Sequence, residues 1–197
     1  HTGFGNSPYQ PFSAFAGQPL IIDVDHLREM DLLLPEDFED MPTWNPEQVS
    51  YGELIEFKTG LLHKAFERFY DKDYEDKLTS SQELMAQYDD FCQYSLWLDD
   101  YALFMAAKDY HNGLPLYMWT KSLKKPTDAI KKRWSKKLAK EMEYYKFIQF
   151  LFYYEWMALK NYANTKNISI IGDIPIFMAW DSVDVWANQE LFLLDED

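Results

Sequence analysis

Two apolar runs constrain this chain more than any other feature. Pro19-Leu20-Ile21-Ile22-Asp23-Val24 and Ile168-Ser169-Ile170-Ile171-Gly172-Asp173 both have the composition of strands buried on two faces, as in a parallel sheet. Between them lies a long stretch whose apolar residues recur at helical spacing. Two parallel strands joined by such a crossover predict an α/β protein with a helical insertion. The 197 residues suffice for one good core. They fall short of the roughly 250 residues typical of a complete (β/α)8 barrel.

Helical periodicity is clearest in three places. From Tyr51 to Tyr70 the apolar set is Leu54, Phe57, Leu61, Leu62, Ala65, Phe66 and Phe69. A second helix is predicted from a cap at Ser80 or Ser81 through Leu84, Tyr88, Phe91, Leu96 and Phe104 to about Tyr110. His111-Asn112-Gly113 stops it, with Pro115 just beyond. A third helix, the longest, opens at Thr127-Asp128 after Pro126 and fades at Asn164-Thr165-Lys166-Asn167. Short helices are predicted after caps at Asp25 and Asp181. Residues 1–18 read as an irregular loop anchored by Phe4, Phe12 and Phe15, and residues 35–50 as a proline-rich loop.

Composition narrows the functional classes. Seven Trp, fourteen Tyr and fourteen Phe exclude global disorder. Most of them belong in a core, and the remainder suit a surface that stacks flat ligands. The net charge of 19 minus 33, or −14, repels polyanions, so nucleic acid is not an expected partner. A basic run including Lys131, Lys132, Arg133, Lys136 and Lys137 is therefore read as the solvated face of a helix. The longest apolar runs fall short of a membrane span. Lone Cys92 fits a packed thiol in a reducing cytoplasm. His1, His26, His63 and His111 lack metal-like spacing, and the Asp71–Asp76 charged break lacks a calcium loop's glycine and glutamate. No cofactor or metal is expected.

Asp173 stands out as a carboxylate at the carboxyl end of an apolar run, where α/β folds keep their ligands. A turn in which it bonds local backbone N–H groups fits the pattern equally well. Asp181 and Asp184 read as the acidic first turn of a helix.

Several segments together resemble the amylomaltases, the 4-alpha-glucanotransferases of glycoside hydrolase family 77. They are Thr2-Gly3-Phe4-Gly5-Asn6-Ser7-Pro8-Tyr9-Gln10, Ser13 to Leu20, and Trp97-Leu98-Asp99-Asp100-Tyr101-Ala102-Leu103-Phe104. The pattern Phe147, Gln149, Phe152, Trp156 and Leu159 agrees, as does Gly172 through Trp186. The resemblance implies a partial (β/α)8 TIM barrel spanning 1–197, with Pro19–Asp23 as its second strand and Ile168–Asp173 as its third. A mostly helical insertion occupies roughly 27–126. It also implies transfer of α-1,4-glucan segments to glucose or glucans by a retaining pair of carboxylates. By the same resemblance those carboxylates, an Asp nucleophile and a Glu acid/base, lie beyond residue 197. The chain would then be an amino-terminal part, inactive alone. Asp173 becomes the acid that supports the donor sugar, and Ser7 and Tyr9 line the same subsite. Maltooligosaccharides and α-1,4-glucans are the implied partners. A non-catalytic α-glucan-binding module and a helical interaction protein are the competing classes. Four departures from the family pattern are His1, where Pro is common, Phe4, where many relatives have Tyr, Glu155, where Gln is common, and Asn167, where Gly is common.

Overall fold

The computed structural model describes residues 7–71, 79–173 and 176–194. Its helices are α1 (Val24–Glu29), α2 (Tyr51–Phe69), α3 (Thr79–Tyr94), α4 (Leu98–Tyr110), α5 (Lys121–Lys124), α6 (Asp128–Lys137), α7 (Ala139–Thr165) and α8 (Val183–Ala187). The charged segment 72–78 and residues 1–6, including Phe4, lie outside the described residues.

The crossover is helical as its spacing predicts, with two extra breaks. The second predicted helix is divided at Ser95–Trp97 into α3 and α4, and α3 starts ahead of both Ser80 and Ser81. The third is divided at Leu138, whose φ −109 and ψ 28 fit neither helix. The helix ends follow local chemistry. Thr127 caps α6 by accepting from Ile130 N. Asp23, not Asp25, caps α1, accepting from the amides of Asp25 and His26. Asp31, Asn112 and Asn167 share a left-handed backbone, at φ 55, 53 and 58, each two residues past a helix. After α7 the amide of Asn167 bonds to Asn164 O, and that of Ile168 to Ala163 O, each at 3.0 Å. This Schellman arrangement explains how Asn167 is accommodated, since Asn, like Gly, enters the left-handed region at little cost.

Helix α4 carries most of the WLDDYALF segment and is buried on every side from Tyr101 through Lys108. It packs most extensively on α7 and also touches α6 and α8. A second layer of rings lies between α2, α3 and α7. Phe69 meets Phe147 at 4.9 Å, and Tyr88 meets Phe150 edge-on at 5.5 Å. The Tyr88 hydroxyl donates to Glu143 at 2.8 Å, and burial raises its pKa well above the ordinary value. Most aromatics are thus core. Half-buried Cys92 packs against the same cluster, and burial raises its thiol pKa.

Neither predicted strand forms among the described residues. Pro19–Ile21 is a 3-10 turn that leads straight into α1. Its neighbouring backbone groups are satisfied by helices instead. Ile22 O accepts from Lys58 Nζ of α2, and Asp23 N donates to both carboxylate oxygens of Glu155 on α7. Glu155, one of the departures from the family pattern, thus makes a contact of its own, and burial pushes its pKa up. Ile168–Asp173 is irregular, and Ile171 is 94% exposed. A strand needs a neighbour for its alternating N–H and C=O groups. Within the described residues neither run has one.

A buried side chain of α7 helps to connect the irregular N-terminal loop to this helical body. Gln149, 1% exposed on α7, accepts from Gly17 N at 2.7 Å and donates to Gly17 O at 3.1 Å. Its amide nitrogen also reaches the Tyr101 hydroxyl of α4 at 3.4 Å. Gly17 is required sterically as well, because a Cβ there would lie 2.0 Å from the Phe152 ring. Ala16 is buried beside it, whereas the predicted anchor Phe15 is exposed and stacks on Trp97 at 6.2 Å.

Two predictions follow from this packing. Gln149→Ala is expected to cost about 2 kcal/mol, since it strands partly buried polar groups. Gly17→Ala should cost about as much through overpacking. Chemical denaturation checks both, and losses under about 0.5 kcal/mol would contradict the arrangement. Asp37 generates the second prediction. Its hydrogen bond from Arg68, with Lys64 nearby, lowers its pKa from 3.8 to about 2. The carboxylate's stabilisation is therefore complete above 3.8 and lost as pH falls through about 2. Asp37→Asn should be less stable at neutral pH, with the deficit closing across that window. A deficit independent of pH would contradict this.

Candidate functional site

Clamps at both ends hold the loop that precedes Pro19. The hydroxyl of buried Ser13 accepts from Phe15 N and Ala16 N at 3.1 and 3.2 Å. Ala14 N donates to Asp184 Oδ2 at 2.9 Å, and Val183 N donates to Phe12 O at 2.9 Å. With Gln149 on Gly17, the loop is fixed between α7 and α8. Asp184 sits in the first turn of α8 as the sequence predicts, and it also holds this loop.

The fixed loop presents Ser7 and Tyr9 to a cleft of ≈ 830 Å³. Tyr9 N donates to Ser7 Oγ at 3.2 Å. The Tyr9 hydroxyl donates to Asp173 Oδ2, also at 3.2 Å, across 164 residues of chain. All three sequence-predicted site residues therefore come together. Tyr9 is 59% exposed and lines the cleft, so its side chain is accessible to a ligand.

The opposite wall includes residues that sequence reasoning missed. Asp181 is not a helix cap; Ser182 caps α8, accepting from Val185 N. Asp181 instead pairs with Lys108 Nζ at 2.6 Å and accepts from Leu116 N at 2.9 Å. Lys108, buried on α4, also lies 4.7 Å from the centre of the Phe12 ring. This ion pair ties the segment after residue 176 to the central helix. Next to it Tyr117 and Trp180 pack ring to ring at 6.0 Å and form the aromatic rim. A signal for Lys108 was present: it is a lone cation directly after the apolar run from Tyr101 to Ala107.

The arrangement can stack on flat apolar faces and exchange hydrogen bonds with hydroxyl groups. Among the described residues no cluster of three or more His, Cys, Asp or Glu could hold a metal. None of the described helices is long and apolar enough to cross a membrane. Lys132, Arg133, Lys136 and Lys137 of the basic helix are exposed, as the solvated-face reading expects, and a few of the basic side chains here find partners. Lys131 pairs with Asp100 at 2.7 Å, Lys137 covers the Tyr110 and Trp134 rings, and Lys146 pairs with Asp99 at 2.7 Å.

Known proteins resemble this chain along its whole length. A 4-alpha-glucanotransferase from Clostridium butyricum is 41% identical over 197 residues, covering 100% of this chain and 38% of that protein. One from Thermus thermophilus is 41% identical over 196 residues, covering 100% and 37%. The solved amylomaltase of Streptococcus agalactiae in complex with acarbose superposes with a TM-score of 0.87 at 36% identity. It too is matched over 100% of this chain and 38% of its own. The chain thus spans well under half the length of these relatives. The family profile for 4-alpha-glucanotransferase matches residues 1–197, and the chain belongs to that family, glycoside hydrolase family 77.

Proposed function

We propose that this chain forms the donor-sugar side of an α-1,4-glucan cleft in a 4-alpha-glucanotransferase. The observation that carries the reading is the Tyr9–Asp173 hydrogen bond on a cleft rimmed by Tyr117 and Trp180. The acarbose bound by the Streptococcus agalactiae relative supports a glucan-like ligand.

In this reading Tyr9 stacks on the apolar face of the sugar, and Asp173 accepts from its ring hydroxyls. Ser7 holds the backbone of Tyr9 in place. Together they fix the donor sugar so that a carboxylate nucleophile can displace the α-1,4 oxygen. A second carboxyl group protonates that leaving oxygen and then deprotonates the acceptor hydroxyl. Net retention follows from two displacements. Both groups lie outside residues 1–197, so this chain alone binds glucan without transferring it. Its partners are maltooligosaccharides and α-1,4-glucans. Free Cys92 suits a cytoplasmic location.

The purified chain is expected to yield no glucose or longer glucans from maltotriose; steady disproportionation would reject this reading. In the enzyme extended to its relatives' length, Asp173→Asn should lower kcat/KM by about a hundredfold, ~3 kcal/mol of transition-state binding. Tyr9→Phe should lower it by about tenfold. Unchanged turnover would remove either residue from the site. Lys108→Met should destabilise the chain by roughly 3 kcal/mol, because it leaves the Asp181 carboxylate without its buried partner. A denaturation midpoint equal to that of the unaltered chain would contradict that role.

A further inference from the structure

We propose that Asp181 is a positioning residue for glucan-length selection: it holds Tyr117 and Trp180 together as one stacking platform on the rim of the cleft. The proposal deepens the functional reading above and rests on it for the class of sugar. Tyr117 and Trp180 both line the cleft, with ring centres 6.0 Å apart at an interplanar angle of 51°. Both stay open, at 58% and 47% exposure. Large apolar rings left exposed side by side mark a surface built to be covered. Their mutual tilt suits a curved ligand better than a flat one. Successive rings of an α-1,4-glucan are inclined to each other because the linkage is axial.

The two rings come from segments far apart in sequence, and one carboxylate joins them. Leu116 directly precedes Tyr117, and Asp181 directly follows Trp180. Asp181 Oδ1 accepts from Leu116 N at 2.9 Å, and Oδ2 accepts from Lys108 Nζ at 2.6 Å. Each ring therefore sits one residue from the same staple. Lys108 Nζ also donates to Leu114 O at 3.4 Å, which ties the approach to Tyr117 to the same cation. The anchoring residues Lys108, Leu116 and Ser182 are buried, while the rings they carry face the cleft. Rings on a backbone fixed in this way have little freedom left to lose when a sugar packs on them.

Length selection follows from the size of the cleft. At ≈ 830 Å³ it lies towards the upper end of the range for ligand sites and exceeds what one sugar ring fills. One unit is held at Tyr9 and Asp173, and the platform takes another. A longer glucan has more registers in which both places are filled together, so it gains more from the platform than a short one.

In the enzyme extended to its relatives' length, kcat/KM for maltotriose and for maltoheptaose tests the proposal. Trp180→Ala should lower the maltoheptaose value about fivefold more than the maltotriose value, mainly through KM. Asp181→Ala should reproduce that selective loss, and the double variant should lose little more than either single one. Losses with Asp181→Ala that are equal for the two substrates, or that add in full to those of Trp180→Ala, overturn the positioning role. So does an unaltered length preference in Trp180→Ala. If Asp181→Ala fails to fold, Asp181→Asn takes its place, because it keeps the shape and removes the charge. Its preference for maltoheptaose should fall about twofold or more, and an unaltered preference overturns the proposal. Asp173→Asn separates this proposal from the donor-sugar reading. Its expected loss, beside unaltered length preference in the other variants, rejects the platform alone. Selective losses in those variants beside full turnover in Asp173→Asn uphold the platform and reject the donor-sugar reading instead.

Discussion

The buried amide of Gln149 carries the organisation of this molecule. A primary amide offers a donor and an acceptor side by side, which matches the N–H and C=O of one residue. Here that residue is Gly17, and the same amide nitrogen reaches Tyr101 on the central helix. The irregular N-terminal loop has little regular structure of its own, so it borrows order from α7. The ring of Phe152, one turn along, leaves room only for a glycine at that point. Polar pairing and steric exclusion thus fix the same residue from two sides.

From there the consequences run towards the cleft. With Gly17 held by α7 and Ala14 held by Asp184 of α8, the chain between them cannot swing. Tyr9 then meets Asp173, although nearly the whole described chain separates them in sequence. On the other wall Lys108 performs the corresponding task from the centre of α4. A cation buried in an apolar helix is tolerable because Asp181 neutralises it and Phe12 presents a ring face to it. Both walls are therefore referred to one rigid object, the packed pair of α4 and α7.

What could be read in advance divides along physical lines. The helices were legible because 3.6-residue spacing is a local signal, and α2 has the ends its periodicity predicts. Their breaks at Ser95–Trp97 and Leu138 were not, since tertiary packing sets them. The strands expected at Pro19–Val24 and Ile168–Asp173 are absent from the described residues because composition encodes half a strand. The other half is a neighbour, and in its absence Lys58 and Glu155 take the backbone groups at Ile22 and Asp23. Asp173 stood out by its place at the end of an apolar run, where a local turn fitted equally well, while Ser7 and Tyr9 were found only through family resemblance, because the meeting of all three depends on the whole fold. Asp181 was misread as a cap because a carboxylate before a short helix looks the same whether it bonds that helix or a distant lysine.

Native-state hydrogen exchange at the Gly17 and Ala14 amides tests the central claim most directly. Both lie in a loop without regular secondary structure, where free amides exchange quickly. If Gln149 and Asp184 hold them, their protection should approach that of the buried core of α7. Exchange at the rate of an open loop, with α7 itself protected, would contradict the account.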